Sequence, residues 1–533
     1  MPRYRLIQFL YLVAATLLLF GYFSFLIDDT FITLRFSENL SKGLGPNFNP
    51  GEKVEGFSNP IWMAILAAYN FIFSNLFIHA NALLPTNPNF VSLPHFFSLP
   101  FFQNLPTPDL LVTSKLLSSL CYLLCGFFLI RRIRFEGHSP LFAALAYLSS
   151  FPLIIWGVSG METSLFTLLL FSFALLVQEE DFNPISFVII VTLIFLCRPE
   201  APLPLFMGLA YLFWRRKISF RLLFFIVTIF AILLILRYQY YGEWLPNTYY
   251  AKHFQTLSRW PITLMGYIRT YYMGIGLVPY LGLLAYAYTR PGKAGWFLIL
   301  FALWPAAFSL LVGGDWMPLW RFMIPTLPIM ILLSARAFSI LSLAAKKHSQ
   351  KRFRLIQFVF TSALGIYFVI NVSEARKVEP FTFSLAPKTK IIPEQVSQSN
   401  APYFAPTYSN NSPQYTEILL WLEAQNPRPK SIAVEELGFF CYYFKVPCLD
   451  LHGLTDATIA HSKQFPNSVI GKTLPLLDTN FALTDLGRYI LYKAPDMLII
   501  GSDSTKPLGE TILNHQYQQI HTIGLFSMYR HLP

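Results

Sequence analysis

The chain has 533 residues, of which 54% are hydrophobic and only 13% are charged, and its mean hydropathy is +0.47. The charged fraction is about half that of ordinary soluble domains, so the composition excludes a soluble protein and indicates a polytopic membrane protein. The formal net charge of +12 does not indicate a nucleic-acid-binding protein, because Lys and Arg fall in short clusters between hydrophobic runs.

The first hydrophobic run, which follows the basic N-terminus MPRYR, predicts a retained membrane span. It has about 22 apolar residues and no small-residue cleavage site, which makes a signal peptide the weaker interpretation. Keeping Arg3 and Arg5 inside places Asp28 and Asp29 on the outer side. Two adjacent carboxylates at the mouth of a span are costly to place, so they indicate a functional site.

The first outer loop is predicted to cover residues 28–109 and to contain interfacial helices. Residues 60–84 are apolar, but if they crossed the membrane, the cluster RRIR at 131–134 and every later basic cluster would lie outside. We therefore expect residues 60–84 to lie along the outer surface as an interfacial helix.

The predicted membrane domain covers residues 1–372 and has about eleven transmembrane helices, with the N-terminus inside and the C-terminus outside. The acidic run at 179–181 is the one exception among the basic inner loops. After the first span, helices are predicted at residues 110–130, 139–157, 161–178, 183–197, 201–214, 219–238, 265–289, 294–312, 323–343 and 354–372.

Residues 373–533 have soluble character and predict a small extracytoplasmic α/β domain. The segment SPQYTEILLWLEAQ has the pattern of an amphipathic helix, while SIAV, VPCLDLHG, PDMLII and HTIGLFSMYRH have the pattern of strands. In an oxidising compartment Cys441 and Cys448 would be able to form a disulfide across a hairpin. The sequence leaves open whether this disulfide forms.

The polar motifs fall in loops that the topology places outside, whereas the inner loops are short and mostly basic. Few charges lie within the spans and no internal repeat is visible, which favours an active site at the outer surface over a translocation path. The outer motifs, besides the first loop, are SGMET (159–163), CRPE (197–200), GEWLPNTYYAKH (242–253) and GGDWMPLWRF (313–322).

Asp28 and Asp29 are the candidate catalytic residues. Adjacent side chains of an extended segment point in opposite directions, so they do not form a facing carboxylate pair. One can accept a proton from an attacking hydroxyl, while the other binds a divalent cation (Mg, Mn or Ca) or caps the following helix. A plain capping role for Asp29 is the alternative. No Gly-rich phosphate loop is present, so no nucleotide cofactor is expected.

Further charged residues on the outer face are candidates for binding a donor phosphate, because a phosphate leaving group needs cations around its developing charge. Interfacial snorkelling explains any single cation equally well. Trp244 and Trp316 are candidates for stacking on sugar rings, although an aromatic belt also explains interfacial Trp. The candidate substrate-binding and donor-phosphate-binding residues are Lys115, Arg198, Glu200, Lys252, His253, Arg269, Asp315 and Arg321.

The segment DDTFITLRFSENLSKGLGPNFNPGEKVEGFSNPIW (28–62) resembles the first outer loop of bacterial GT-C superfamily glycosyltransferases, whose members carry an acidic residue or pair there. The segment is similar to that of the group that includes the mycobacterial terminal arabinofuranosyltransferase. SGMETSLF, CRPE, LPNTYYAK, GGDWMPLWRF and DLHGLTD resemble further blocks in the same order, so the resemblance covers most of the chain. In DLHGLTD, Asp450, His452 and Asp456 are expected to hold a turn rather than to catalyse.

The resemblance implies an integral membrane glycosyltransferase that uses a polyprenyl-phosphate sugar as donor. The acceptor would be an envelope glycan, lipid or protein on the outer face of the bacterial cytoplasmic membrane. In that scheme Asp28 or Asp29 is the base or the metal-site residue, and a single displacement inverts the anomeric carbon. The resemblance does not identify the sugar. Two other classes stay open: a lipid-linked sugar flippase or other transporter, and a non-catalytic glycan-binding envelope assembly protein.

Overall fold

A computed structural model of the chain describes residues 2–82, 110–181, 183–252, 266, 269, 271, 276–312, 317, 319–378, 412–461, 489–501 and 516–532. The chain divides into two compact units. The helical unit comprises residues 1–25, 115–236 and 256–385, and the mixed unit comprises residues 26–114, 237–255 and 386–533.

Helices account for most of the described residues between 2 and 378. A 3-10 helix at Arg321–Thr326 precedes the fourteenth α-helix. The α-helices of this part are α1 Pro2–Gly21, α2 Asp28–Ser41, α3 Pro60–Ala82, α4 Leu110–Phe135, α5 Pro140–Leu148, α6 Phe151–Gly157, α7 Thr163–Gln178, α8 Pro184–Phe195, α9 Pro202–Trp214, α10 Phe220–Tyr241, α11 Leu277–Tyr288, α12 Lys293–Ala302, α13 Trp304–Val312, α14 Leu327–His348 and α15 Gln350–Val378.

Among the described residues, five helices are long and apolar enough to cross a membrane, or six if the bent pair α5 and α6 counts as one span. The two helices of this pair meet at 65°. The other predicted spans that the structure describes are also helical, but several are shorter than the roughly 20 residues that a straight span needs. The predicted count of about eleven spans, the orientation of the termini and the surface position of α3 therefore stay predictions.

Local sequence signals explain where several short helices begin. Pro140 and Pro184 occupy the first helical position, where the missing N–H costs nothing and the fixed φ suits the helix. Asn183 caps α8, because its side-chain oxygen accepts from the backbone N–H groups of Ile185 (2.8 Å) and Ser186 (3.2 Å). These caps separate helices that hydropathy alone would join.

Ion pairs connect different helices within the helical unit. The Arg336 guanidinium binds the Glu136 carboxylate with Nε (2.7 Å) and Nη2 (2.5 Å), and Arg132 Nε lies 2.5 Å from the same carboxylate. Arg132 Nη1 also pairs with Glu179. The acidic run at 179–181, which stood out among basic inner loops in the sequence, therefore supplies a partner for one of those basic clusters.

The mixed unit contains a five-stranded sheet in the order β2-β1-β3-β5-β4. Strand β1 is parallel to β2 and β3, whereas β5 is antiparallel to β3 and β4. The predicted α/β character of the C-terminal region is confirmed. Its elements are α16 Ser412–Glu423, β1 Ile432–Val434, α17 Leu437–Phe444, β2 Cys448–Asp450, α18 Ala457–His461, β3 Met497–Gly501, β4 Tyr517–Ile523 and β5 Phe526–His531.

Two local predictions in this region are wrong. HTIGLFSMYRH was predicted as one strand, but it contains the end of β4, a turn and all of β5, because Gly524 adopts a left-handed backbone with φ +56°. Cys441 and Cys448 do form a disulfide, but it joins α17 to β2 rather than bridging a hairpin. The apolar run LGFFCYYF is helical and ends at Lys445, whose φ is +58°.

Within the mixed unit, helix α2 packs along α17. The Arg35 side chain is 5% exposed, and its Nε donates to the Phe48 carbonyl at 2.9 Å. Its Nη2 donates to the Val446 carbonyl at 2.8 Å, and its Nη1 donates to the Cys441 carbonyl. The two helices approach so closely that a Cβ on Gly438 would overlap the backbone of Asp28. Glycine is therefore required at this contact.

We expect Gly438→Ala to destabilise the protein, because the new methyl group has to push the α2 backbone away from α17. Overpacking of this kind costs about 1–3 kcal/mol. The measurement is the thermal unfolding midpoint of the purified protein in detergent, which should fall by several degrees. Gly365→Ala is the matched control, because Gly365 lies within α15 and a Cβ there meets nothing within 4 Å. Equal midpoints for the two variants would contradict the close approach.

Candidate active site

Asp28 anchors helix α2 to the N-terminus of α17. Its side chain is 4% exposed, and its two carboxylate oxygens accept from the backbone N–H groups of Gly438 (2.7 Å) and Phe439 (2.8 Å). These N–H groups belong to the first turn of α17, where no helical acceptor is available and the helix dipole favours an anion. Asp28 therefore caps a helix that lies about four hundred residues later in the chain, rather than the helix that it begins.

Burial raises the pKa of the Asp28 carboxyl to about 7, although the hydrogen bonds from Phe439 and Gly438 act in the opposite direction. The nearby carboxylates of Asp29 and Asp450 raise it further. Asp29 differs from Asp28 because its side chain is half-buried rather than buried. Of the two predicted catalytic carboxylates, Asp29 is thus the one that a solvent-borne hydroxyl can approach.

Glu436 adds a carboxylate that the sequence analysis did not single out. It immediately precedes α17, and burial raises its pKa to about 8, with the charge of Asp28 as the next cause. The hydrogen bond with Tyr415 lowers this pKa, whereas the charges of Glu435 and Asp29 raise it. The available signal was the pair EE directly before the apolar run LGFFCYYF, a pattern typical of a helix N-terminus.

Within the described residues, no group of three or more His, Cys, Asp or Glu side chains is arranged to hold a metal ion. Both carboxylate oxygens of Asp28 already accept backbone N–H groups. The metal role of Asp28 and Asp29 stays a prediction.

Three of the sequence motifs meet beside this site in the mixed unit. The Asn247 side chain of LPNTYYAK donates to the carbonyls of Gly453 (2.7 Å) and Leu454 (3.0 Å) in DLHGLTD. Its backbone N–H donates at 3.0 Å to the carbonyl of Glu55, which lies between α2 and α3. Arg237 forms an ion pair of 2.9 Å with the same Glu55, whose pKa is raised by burial to about 7 although Arg237 lowers it.

The acidic residues of DLHGLTD hold a turn, as predicted. Asp450 is fully buried, and its carboxylate accepts from the backbone N–H groups of His452 and Thr455, both at 2.8 Å. Asp456 accepts from the N–H of Ile459 at 2.9 Å, which caps the short helix α18. These contacts organise the loop after β2.

In the helical unit, Arg198 is buried between two carboxylates. Its guanidinium pairs with Glu162 of SGMET and with Glu200 of its own CRPE motif, and all three side chains are less than 5% exposed. The guanidinium carbon of Arg321 lies 5.5 Å from the ring of Phe322 and 5.8 Å from that of Trp156. The guanidinium carbon of Arg198 lies 5.9 Å from the same Phe322 ring. The structure therefore brings SGMET, CRPE and the WRF end of GGDWMPLWRF together.

The other candidate substrate-binding residues lie in different surroundings. Lys115 is buried, with Nζ donating to the Phe25 carbonyl at 2.5 Å. Trp244 is 53% exposed and stacks on Tyr238 with ring centroids 4.5 Å apart. Lys252 and Arg269 are exposed. His253, Asp315 and Trp316 lie outside the described residues. The substrate-binding roles of all these residues stay predictions.

The raised pKa of Glu436 predicts a pH-dependent effect on stability. A free Glu has a pKa of about 4.3, and the folded protein favours the protonated form of Glu436. Its contribution to the free energy of unfolding is therefore fully present below about pH 4.3 and is lost as the pH rises through about 8. We expect Glu436→Gln to gain thermal stability relative to the parent protein between about pH 5 and 8. Unfolding midpoints at each pH are the measurement, with Glu417→Gln, an exposed carboxylate of α16, as the control. A constant difference across this range would contradict the prediction.

Comparisons with known proteins support one conclusion about the fold. A family described as a domain of unknown function (DUF8728) matches residues 406–531, and no curated protein matches the chain. The structure of ArnT from Cupriavidus metallidurans bound to undecaprenyl phosphate is similar, with 13% identity, a TM-score of 0.54 and coverage of 98% of this chain and 97% of that chain. The apo form of the same protein gives 11% identity and a TM-score of 0.47 over the same shares. At this identity the likeness to the bound form shows the fold alone, an ArnT-like fold over nearly the whole chain.

Proposed function

We propose that the protein is an integral membrane glycosyltransferase. It transfers a sugar from a polyprenyl-phosphate donor to an envelope glycan, lipid or protein on the outer face of the bacterial cytoplasmic membrane. The observation that carries this proposal is the likeness to ArnT bound to undecaprenyl phosphate, which covers 98% of the chain. Because a fold by itself does not fix an activity, the carboxylates of the first outer loop supply the second argument.

The proposed reaction is a direct displacement. The acceptor hydroxyl oxygen forms a bond to the anomeric carbon, the bond from that carbon to the donor phosphate oxygen breaks, and the electron pair leaves with the polyprenyl phosphate. Asp29 takes the hydroxyl proton as the general base. Asp28 positions Asp29, because it fixes the first turn of α2 against α17. A single displacement inverts the configuration at the anomeric carbon.

Cations stabilise the charge that develops on the departing phosphate. Lys252, Arg269 and Arg321 are the residues that we propose for this role. The proposed reaction does not include a divalent ion held by Asp28 or Asp29. The experiment below tests for one by comparing activity with and without EDTA. The likeness in fold does not select hexose or pentose, and membership of the mycobacterial arabinofuranosyltransferase group is not assigned.

The finer topology belongs to the same proposal. About eleven spans would place the N-terminus in the cytoplasm and the C-terminal sheet outside, on the side that Asp28 and Asp29 face. Transport of the lipid-linked sugar and binding without catalysis are the two competing classes, and the following experiment separates them from glycosyl transfer.

Asp29→Asn should abolish sugar transfer while donor binding is retained, because an amide does not accept a proton from the acceptor. Loss of general-base catalysis lowers the rate by about 10²–10⁴-fold. The measurement is sugar release or transfer from a panel of synthetic polyprenyl-phosphate sugars by the purified protein, with and without EDTA.

Glu52→Gln is the matched control for this variant. Glu52 lies in the same loop, and its side chain is 48% exposed beside Asn49 and Lys493. Equal turnover by the parent protein and Asp29→Asn would remove Asp29 from the mechanism. If the parent binds a donor but consumes none, the catalytic proposal fails in favour of transport or binding. A loss of activity in EDTA that added Mg, Mn or Ca restores would assign a metal.

A further inference from the structure

A buried polar cluster lies in the helical unit, where the turn between α6 and α7 meets the turn between α8 and α9. It consists of Trp156, Glu162, Thr163, Arg198 and Glu200. Trp156 is included because its ring lies 5.8 Å from the guanidinium carbon of Arg321. Arg321 and Arg198 both lie over the ring of Phe322, at 5.5 Å and 5.9 Å. All five side chains are less than 5% exposed.

Three side-chain atoms of the polar cluster have no hydrogen-bond partner in the described part of the chain. They are the indole nitrogen Nε1 of Trp156, the hydroxyl Oγ1 of Thr163 and the carboxylate oxygen Oε2 of Glu200. Buried polar groups are nearly always paired, so each exception needs an explanation such as a bound water or ligand. All three atoms belong to residues of the polar cluster, and one bound ligand would explain all three.

The charges of the polar cluster and of its neighbour Arg321 bear on the identity of that partner. Arg198 pairs with both Glu162 and Glu200, and its guanidinium carbon and that of Arg321 lie 5.9 Å and 5.5 Å from the same Phe322 ring. The formal charges of the two arginines and the two carboxylates therefore cancel. A phosphate would meet the Glu200 carboxylate, which repels it. A neutral ligand that carries several hydroxyl groups fits better, because the three unpaired atoms comprise one N–H donor, one hydroxyl and one carboxylate acceptor.

We propose that the polar cluster binds hydroxyl groups of the donor sugar. The Glu200 carboxylate accepts from one sugar hydroxyl, the Trp156 indole N–H donates to another, and the Thr163 hydroxyl bonds to either. This inference rests on the proposed function for the nature of the ligand, a polyprenyl-phosphate sugar. It assigns Glu200 to the sugar rather than to the phosphate, and it adds Trp156 and Thr163 to the residues that recognise the donor.

Thr163→Val is the decisive variant, because it removes a hydroxyl that makes no hydrogen bond within the described protein and keeps the branched shape. Its fold should therefore be at least as stable as that of the parent. Thr167→Val is the matched control. Thr167 lies one turn further along α7, is equally buried, and donates its hydroxyl to the Thr163 carbonyl at 2.7 Å. Glu200→Gln, which keeps the side-chain size, is the second variant.

The experiment compares the dissociation constants of a polyprenyl-phosphate sugar and of the same polyprenyl phosphate without sugar, measured by thermal stabilisation of the purified protein. The parent should bind the sugar-bearing lipid more tightly. Thr163→Val and Glu200→Gln should weaken binding of that lipid by about tenfold, the effect of one lost hydrogen bond to a ligand. Binding of the sugar-free lipid should not change, and Thr167→Val should affect neither.

Three results would overturn the inference. Unchanged binding of both lipids by Thr163→Val and Glu200→Gln would assign the unpaired atoms to bound water. Equal weakening for the two lipids would place the phosphate at the cluster. A parent that gains no affinity from the sugar in any donor of the panel would also exclude a sugar site. A parent that binds the sugar through these residues but does not transfer it would instead contradict the proposed function alone.

Discussion

The mixed unit depends on helix α2, whose side chains form hydrogen bonds with unpaired backbone groups at both ends of α17. Asp28 binds the free N–H groups at the start of α17, and Arg35, two turns later on the same face of α2, binds the Cys441 carbonyl near its end. An anion at the N-terminus and a cation at the C-terminus are the charges that the dipole of α17 favours. Because these groups are buried, removing either charge would leave polar backbone atoms without partners. Helix α2 and the C-terminal sheet are therefore parts of one unit.

This arrangement separates the roles of two carboxylates that look equivalent in the sequence. The position of Asp28 and Asp29 after a hydrophobic run led to the prediction of a functional site, which stays a prediction. The extended segment expected for the two residues is wrong, because both lie in the first turn of α2. Their position in the sequence was not enough to say which of the two is buried, because that depends on the approach of Gly438, a glycine some four hundred residues away. Arg35 was missed for the same reason, since an arginine in TFITLRF has the pattern of an ordinary polar position on a helix.

Long-range pairing also explains why the candidate phosphate-binding cations were only partly predictable. The sequence contains several acidic residues in loops, but it does not show that Arg198 pairs with Glu162 and Glu200 in particular. The acidic residue Glu179 presented the same difficulty, because its partner Arg132 lies in a different loop. Helices and strands follow from local patterns of apolar residues, caps and prolines, whereas the choice among several possible ion pairs is made only by tertiary packing.

The contacts of α17 suggest a role for the matched domain of unknown function in the proposed reaction: its hydrogen bonds hold α2, the helix that carries Asp29. Residues 406–531 include α17, the disulfide and the turn of Asp450, and all three contact segments from earlier in the chain. Asn49, which lies between α2 and α3, for example donates to the Cys448 carbonyl at 2.8 Å and accepts from the Cys448 N–H at 3.0 Å. If Asp29 is the base, then the orientation of α2 that presents it is set by hydrogen bonds from this domain. Substitutions on α17 should therefore alter the reaction without touching the substrate.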